Sequence, residues 1–146
     1  MAKHLKEDAD EIAEACLASR TRLLGRVITS IYDDALRGVG LTASQMTILV
    51  ALEHTGGINP GALCEALKLD KSTLSRNVDR MQRNGWVDKI PGPDARSHTL
   101  KLSEAGRRKL AEAVPHWRKA QADAEEMLGK GGMDTLVRVS KRLRGF

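Results

Sequence analysis

The sequence is poor in aromatic residues, with one Phe, one Tyr and two Trp making up 3% of 146 positions. Its core must therefore be built from Leu, Val, Ile, Ala and Met, within an apolar fraction of 41%. Cysteine is scarce too. Cys16 and Cys64 form no Cys-x-x-Cys pair, which argues against a disulfide scaffold or a structural zinc site. His4, His54, His98 and His116 are scattered, with no metal-ligand spacing. No apolar run approaches the ~20 residues of a membrane span, and MAKHLKEDADEIAEA has no signal-peptide core. A cytoplasmic location without a membrane partner is expected. There is no phosphate-cradling glycine loop, nucleophile elbow or ligand cluster, so neither enzyme activity nor a cofactor or metal is expected. Internal repeats and low-complexity segments are lacking.

What is present is a modest positive balance and strong helical periodicity. The formal charge of +5 favours anionic partners without specifying one. The length fits one domain or one domain plus an extension. In residues 8–37, apolar positions recur at Ile12, Cys16, Leu23, Val27, Ile31 and Ala35, which predicts one helix of ~45 Å ending at Gly38 and Gly40. Thr42 or Ser44 caps a second helix with Met46, Leu49, Val50 and Leu52 inward, stopped at Gly56-Gly57. Asn59-Pro60 starts a short third helix with Leu63, Cys64 and Leu67 inward. Asp70 is the N-cap of a fourth, whose stripe is Leu74, Val78 and Met81 and whose stop is Gly85.

After Gly85 the period shortens. Residues 86–90 and 97–102 read as two strands around the breaker-rich turn PGPDAR. Ser103 then opens a helix of ~25 residues by its period, with Leu110, Ala113, Val114, Trp117, Ala120, Ala124, Met127 and Leu128 on one side. Pro115 should kink it, and Gly129, Gly131 and Gly132 should end it. Leu136, Val139 and Leu143 mark a last short helix.

Two helices joined by Lys68-Leu69-Asp70 and followed by a hairpin form a helix-turn-helix with a wing. In that arrangement the second helix, 71–84, lies in the DNA major groove. Its stripe holds it to the domain, leaving Lys71, Ser72, Ser75, Arg76 and Arg80 to face outward. Hydroxyls at a helix start suit phosphates and base edges, and arginine pairs with guanine or phosphate. A hairpin, 87–102, with Arg96 at its tip suits a minor groove. A protein-binding winged helix would instead present apolar residues on this face.

The segments LTASQMTILVAL (41–52), LDKSTLSRNVDRMQRNGWV (69–87) and DARSHTLKLSEAGRRKL (94–110) together resemble the MarR family of winged helix-turn-helix regulators, over nearly the whole chain. The resemblance implies a mainly α fold with a small β-hairpin wing, organised as a dimerisation helix (1–40), a winged DNA-binding lobe (41–102) and C-terminal dimerisation helices (103–146). It also implies a homodimer reading a palindromic operator in double-stranded DNA, as a repressor. The long apolar helices at both ends, which have no partner inside a ~60-residue lobe, fit that assembly. Ser44, Lys71, Ser72, Thr73, Ser75, Arg76, Arg80, Asp94, Arg96 and Ser97 are the expected DNA-contacting set. Family members often carry Asp-Arg-Arg at the wing; Asp94 and Arg96 match, and Ala95 replaces the middle arginine.

The resemblance further implies release by a small aromatic or phenolic inducer bound between the dimer helices and the lobe. Cys16, Arg20, Met46, His116 and Trp117 are the candidate lining, with Arg20 placed to hold a carboxylate. Two alternative readings are a thiol-based redox-sensing regulator using Cys16 and a winged-helix protein-interaction module. Against the first, peroxide-sensing relatives place their thiol near Ala18 in this numbering, with tyrosines close by, whereas this chain has only Tyr32.

Overall fold

A computed structural model describes residues 2–94 and 97–143. The elements are α1 (Ala2–Ala15), α2 (Leu17–Leu36), a single 3-10 turn (Arg37–Val39), α3 (Ala43–Thr55), α4 (Pro60–Leu67), α5 (Lys71–Arg83), β1 (Val87–Pro91), β2 (His98–Leu102) and α6 (Glu104–Leu143).

α3 is the centre of the lobe. Thr42 starts it through a reciprocal capping box: its hydroxyl accepts from the Gln45 N–H at 3.2 Å, and the Gln45 side chain accepts from the Thr42 N–H at 3.1 Å. Gln45, Met46, Ile48, Leu49 and Leu52 are all buried, so α3 is covered on more than one side, by α2, α5, α6 and β2. Val50 was expected inward but is 47% exposed. It lies one residue, or ~100°, past Leu49 and so falls off the stripe defined by 45, 48, 49 and 52.

α4 and α5 begin as the sequence predicts. The Asn59 side chain accepts from the Ala62 N–H, with Pro60 at the first helical position, and Asp70 caps α5. Lys68 occupies the left-handed region (φ 52°) at the end of α4, which reverses the chain within three residues. Leu63, Leu74, Val78 and Met81 close the core with Leu36, Val87, Leu100 and Leu102. Each such side chain contributes about 1.5–3 kcal/mol by leaving water.

The hairpin pairs Val87 with Leu102 through Pro91 with His98, antiparallel. Ile58 adds one bridge on the outer side of β2, exchanging N–H···O bonds with Leu100 at 3.1 and 2.9 Å. Sequence reading missed this bridge because a single Ile between Gly57 and Asn59 has no strand period to show.

The expected first helix is in fact two. Cys16 takes an extended conformation (φ −66°, ψ 107°) and separates α1 from α2, and helix extends back to Ala2. The apolar period runs through the break, so the pattern does not reveal it. The expected stop at Gly129 is confirmed (φ 66°, ψ 163°), whereas Gly131 and Gly132 continue the helix beyond it. The backbone stays helical at Pro115, and the break expected around Gly129 is the larger feature.

α6 is joined to the lobe by a tight junction. The Ser103 hydroxyl donates to the Gly85 carbonyl at 2.6 Å and accepts from the Gly106 N–H at 3.0 Å. A Cβ on Gly106 would lie 2.1 Å from the Trp86 carbonyl oxygen. Gly106→Ala should therefore destabilise the fold by about 1–3 kcal/mol, through a forced separation of α6 from the wing root. Chemical denaturation checks this; a change within about 0.5 kcal/mol would refute the close approach.

Candidate nucleic-acid interface

α5 is the most amphipathic element, and its sides have distinct surroundings. Leu74, Val78 and Met81 are buried. Ser72, Arg76, Arg80 and Arg83, spaced by threes and fours on the opposite side, are exposed. Lys71, Ser75, Asp79 and Gln82 form a third row along a groove of about 600 Å3 between α4, α5 and the hairpin, with Lys89, Ser97 and His98 on its far wall. On the other flank, the Asn77 amide donates to the Ser44 hydroxyl at 3.4 Å and to the Thr73 carbonyl at 3.0 Å, which ties α5 to the first turn of α3.

The start of α5 is organised by one carboxylate. Asp70 accepts from the Ser72 hydroxyl at 2.5 Å, from the Thr73 hydroxyl at 2.6 Å and from the Thr73 N–H at 2.8 Å. The Ser72 and Thr73 hydroxyls, then the Thr73 N–H, hold its pKa well below the usual carboxylate range, with a smaller contribution from the nearby Arg76. Arg76 in turn donates to the Thr73 hydroxyl at 3.3 Å.

The structure therefore divides the expected DNA-contacting residues. Lys71, Ser75, Arg76 and Arg80 present exposed side chains on one lobe surface. Ser72 and Thr73 have given their hydroxyl hydrogens to Asp70, so they position the helix start and are left as acceptors. Ser44 is half-buried against Asn77. Ser97 closes the hairpin turn, its N–H donating to the Asp94 carboxylate at 2.7 Å and its carbonyl accepting from the Gly92 N–H at 2.8 Å. Arg96, with Ala95, lies outside the described residues. The sequence reading missed Asn77, Lys89 and His98. Asn77 was legible as the i+4 neighbour of Thr73, but Lys89 and His98 meet α5 only through the hairpin register.

The five candidate ligand-lining residues do not converge in one chain. Met46 is buried in the core with Leu36. His116 Nδ1 lies 3.0 Å from the Ala35 carbonyl oxygen, and the neighbouring Trp117 is 38% exposed. Cys16 and Arg20 lie 19 and 15 residues before Ala35, roughly 28 and 22 Å along α2. The Arg20 guanidinium turns back onto the Glu14 carbonyl across the helix break and is exposed, whereas the periodicity put it on an apolar side. The Ser19 hydroxyl, followed by the Ser19 and Ala18 N–H groups, lowers the pKa of the Cys16 thiol. Among the described residues, no three His, Cys, Asp or Glu side chains gather as metal ligands, and no single helix is long and apolar enough to cross a membrane.

The family model described as MarR family matches residues 39–97, which hold α3, α4, α5 and β1 and end just before β2. The M. tuberculosis transcriptional regulator MOSR, solved in complex with DNA, is 30% identical over 88% of this chain and 98% of its own, with a TM-score of 0.71. The chain belongs to the MarR family. The multiple antibiotic resistance protein MarR of Salmonella typhimurium is 31% identical over 57% of this chain, a match covering 63% of that relative's length. The HTH-type transcriptional regulator PecS of Dickeya dadantii is 32% identical over 60% of this chain and 54% of its own. A mutant of E. coli MarR complexed with operator DNA shares the fold, with a TM-score of 0.79 at 21% identity over 91% of this chain and 96% of its own. This MarR-family chain has the winged helix-turn-helix fold.

The capping carboxylate has a pH signature. In the unfolded chain Asp70 titrates at about 3.9, while the folded value is lower, so its stabilising contribution is complete above the unfolded value and is lost as pH falls toward the folded one. Asp70→Asn keeps a capping oxygen but has no charge to titrate. Its melting temperature should fall less than the parent's between about pH 5 and pH 3. Parallel melting curves across that range would show that Asp70 does not carry the acid sensitivity.

Proposed function

We propose that this MarR-family regulator is a cytoplasmic homodimer that binds a palindromic operator in double-stranded DNA and represses transcription. α5 enters the major groove and the hairpin reaches the minor groove. The observation that carries this reading is the exposed row Ser72, Arg76, Arg80 and Arg83, set opposite the stripe that anchors α5. Lys71 and Ser75 extend the polar surface toward the hairpin, where Lys89 and His98 add to it. In this reading Arg76 and Arg80 face bases or phosphates, Lys71 and Ser75 face phosphates, and Ser44, Ser72, Thr73, Asp94 and Ser97 hold the geometry. Arg96 is assigned to the minor groove by its place in the sequence. The polar character of α5 favours DNA over the protein-interaction alternative.

Segments 1–40 and 103–146 are assigned to dimerisation. Leu5, Ile12, Leu17, Leu23, Met127, Val139 and Leu143 are exposed by 44–76% within one chain. Apolar surface at this density is normally covered, and a two-fold axis covers it with the fewest distinct contacts. The DNA-bound MOSR and E. coli MarR structures support the DNA half of the proposal.

Release by a small aromatic ligand is the second part. It is supported by BpsR of Bordetella bronchiseptica, a structural neighbour whose DNA binding is regulated by 6-hydroxynicotinic acid. Of the five candidates, Met46 and His116 sit at the C-terminal end of α2, where α3 and α6 also pack, and Trp117 follows His116 in sequence. Ligand entry is assigned to that end, and Cys16 and Arg20 are left outside it.

The test is fluorescence anisotropy with the DNA upstream of the coding sequence against a scrambled duplex at physiological salt. The parent should prefer the upstream DNA at two protomers per site. Arg76→Ala should lose discrimination, and Arg96→Ala should weaken binding to all sequences, each by about 1 kcal/mol or more. Ser72→Ala should change affinity far less, because its hydroxyl hydrogen is already on Asp70. Parent-like affinity in both arginine variants would remove the contact assignment.

A further inference from the structure

The positive charge of this chain is not confined to the winged lobe. Arg22, Arg26, Thr29, Asp33 and Arg37 recur on one side of α2 at spacings of three and four and line an open groove of about 570 Å3. This side has a fixed orientation, because the Asp33 carboxylate accepts from the Ala43 N–H at 2.7 Å at the start of α3. One residue on, Ser44 accepts from Asn77 of α5. The α2 row, the first turn of α3 and the Asn77 flank of α5 are thus joined in sequence by two hydrogen bonds. Arg26 and Arg22 lie seven and eleven residues before Asp33, so they continue this surface for roughly 10 and 16 Å along α2.

Within the row the charges are unequal. Arg37 is paired with Asp34 at 2.5 Å and Asp33 is occupied at α3. Among the described residues neither Arg22 nor Arg26 makes an ion pair, and both are exposed. By helical phase the row lies opposite Leu24, Ile28 and Ile31, which are half-buried within the chain, while the exposed Leu23 and Val27 lie on its flank. A Cβ on Gly25, in the same groove, would meet nothing within 4 Å.

We propose that Arg22 and Arg26 form a second row of phosphate contacts, which follows the DNA backbone beyond α3 while α5 occupies the major groove. The proposal rests on the DNA-binding reading above. Backbone phosphates on one strand are spaced closely enough for two arginines one helical turn apart to engage neighbouring groups. Such contacts add affinity without adding sequence preference.

The experiment uses the full chain and a labelled mixed-sequence duplex of roughly 30 base pairs, titrated by anisotropy across a series of salt concentrations. Arg22→Ala/Arg26→Ala should lower affinity roughly tenfold or more and flatten the plot of log affinity against log salt by about 0.9 per arginine lost. Arg22→Lys/Arg26→Lys should restore most of the slope, since a phosphate contact needs the charge more than the fork. Melting temperature and native mass should match the parent in both variants. Parent-like affinity and slope in the alanine variant would overturn the proposal, as would lost affinity with an unchanged slope. A fall in native mass would also overturn it, by making the row an interface between copies. If the parent itself fails to bind any duplex, the DNA-binding reading falls first and this inference falls with it.

Discussion

The polar surface of the lobe depends on α5 being held as a helix at all, and that depends on Asp70. α5 has 13 residues, of which Leu74, Val78 and Met81 are buried. A helix that short is marginal in water, and its outward row of arginines adds no cohesion. Two constraints offset this. The three-residue stripe fixes the helix to the core, and the Asp70 carboxylate closes its first turn by gathering a backbone N–H and two hydroxyls. Because the cap consumes the hydroxyl hydrogens of Ser72 and Thr73, the same interaction that starts the helix determines which side chains remain to act as donors. Those include Lys71, Ser75, Arg76, Arg80 and Arg83, each of which is exposed.

Features fixed by local chemistry were legible in the sequence. The caps at Thr42, Asn59 and Asp70, the stripe of α5, the turn at Lys68–Asp70 and the register change after Gly85 each follow from neighbours within four residues, and all are present. Features set by distant contacts were not legible. The extended backbone at Cys16 interrupts a periodic run without altering its period. Ile58 joins Leu100 across 42 positions, with no run of its own. Arg20 lies at an apolar phase, but its guanidinium finds the Glu14 carbonyl because the break at Cys16 frees that carbonyl from the helix ladder. For the site, helical spacing identified the exposed row of α5, whereas the Asn77–Ser44 link and the far wall of the groove needed the packing of α3 and the hairpin.

The ends of the chain follow a different logic from the lobe. Leu5, Ile12 and Leu17 at one end, and Val139 and Leu143 at the other, are apolar and exposed in one chain. They cannot be there to stabilise the monomer. The middle of α2 and the first part of α6 do pack together, with Ala113, Ala120 and Ala124 buried as small residues that let the helices approach closely. On the proposed reading the small residues bring the intrachain helices together, while the large exposed residues are reserved for the second copy. The arginine row of α2 lies opposite the half-buried Leu24, Ile28 and Ile31 by helical phase.

The lobe is attached to these helices at a few definable points, and this bears on how a signal would reach the DNA. Asp33 holds the start of α3, Ser103 bridges Gly85 and Gly106, and Lys109 reaches the Val39 carbonyl at 3.2 Å while lying 5.4 Å from the centre of the Trp86 ring. Above these attachments, Tyr32 donates to Gln121, which donates in turn to Glu125. Burial and, second, the Glu125 charge push the Tyr32 phenol up, so it remains a donor at neutral pH. His116 meets the Ala35 carbonyl oxygen one turn away. A ligand wedged at this end of α2 has no need to touch α5. On the proposed reading, separating α6 from α2 would shift Asp33 and Ser103 relative to each other, and both are points at which the lobe is attached. On that reading, rotating the lobe by a few degrees against α2 moves α5 relative to the α2 arginine row, so major-groove and phosphate contacts would no longer be made together.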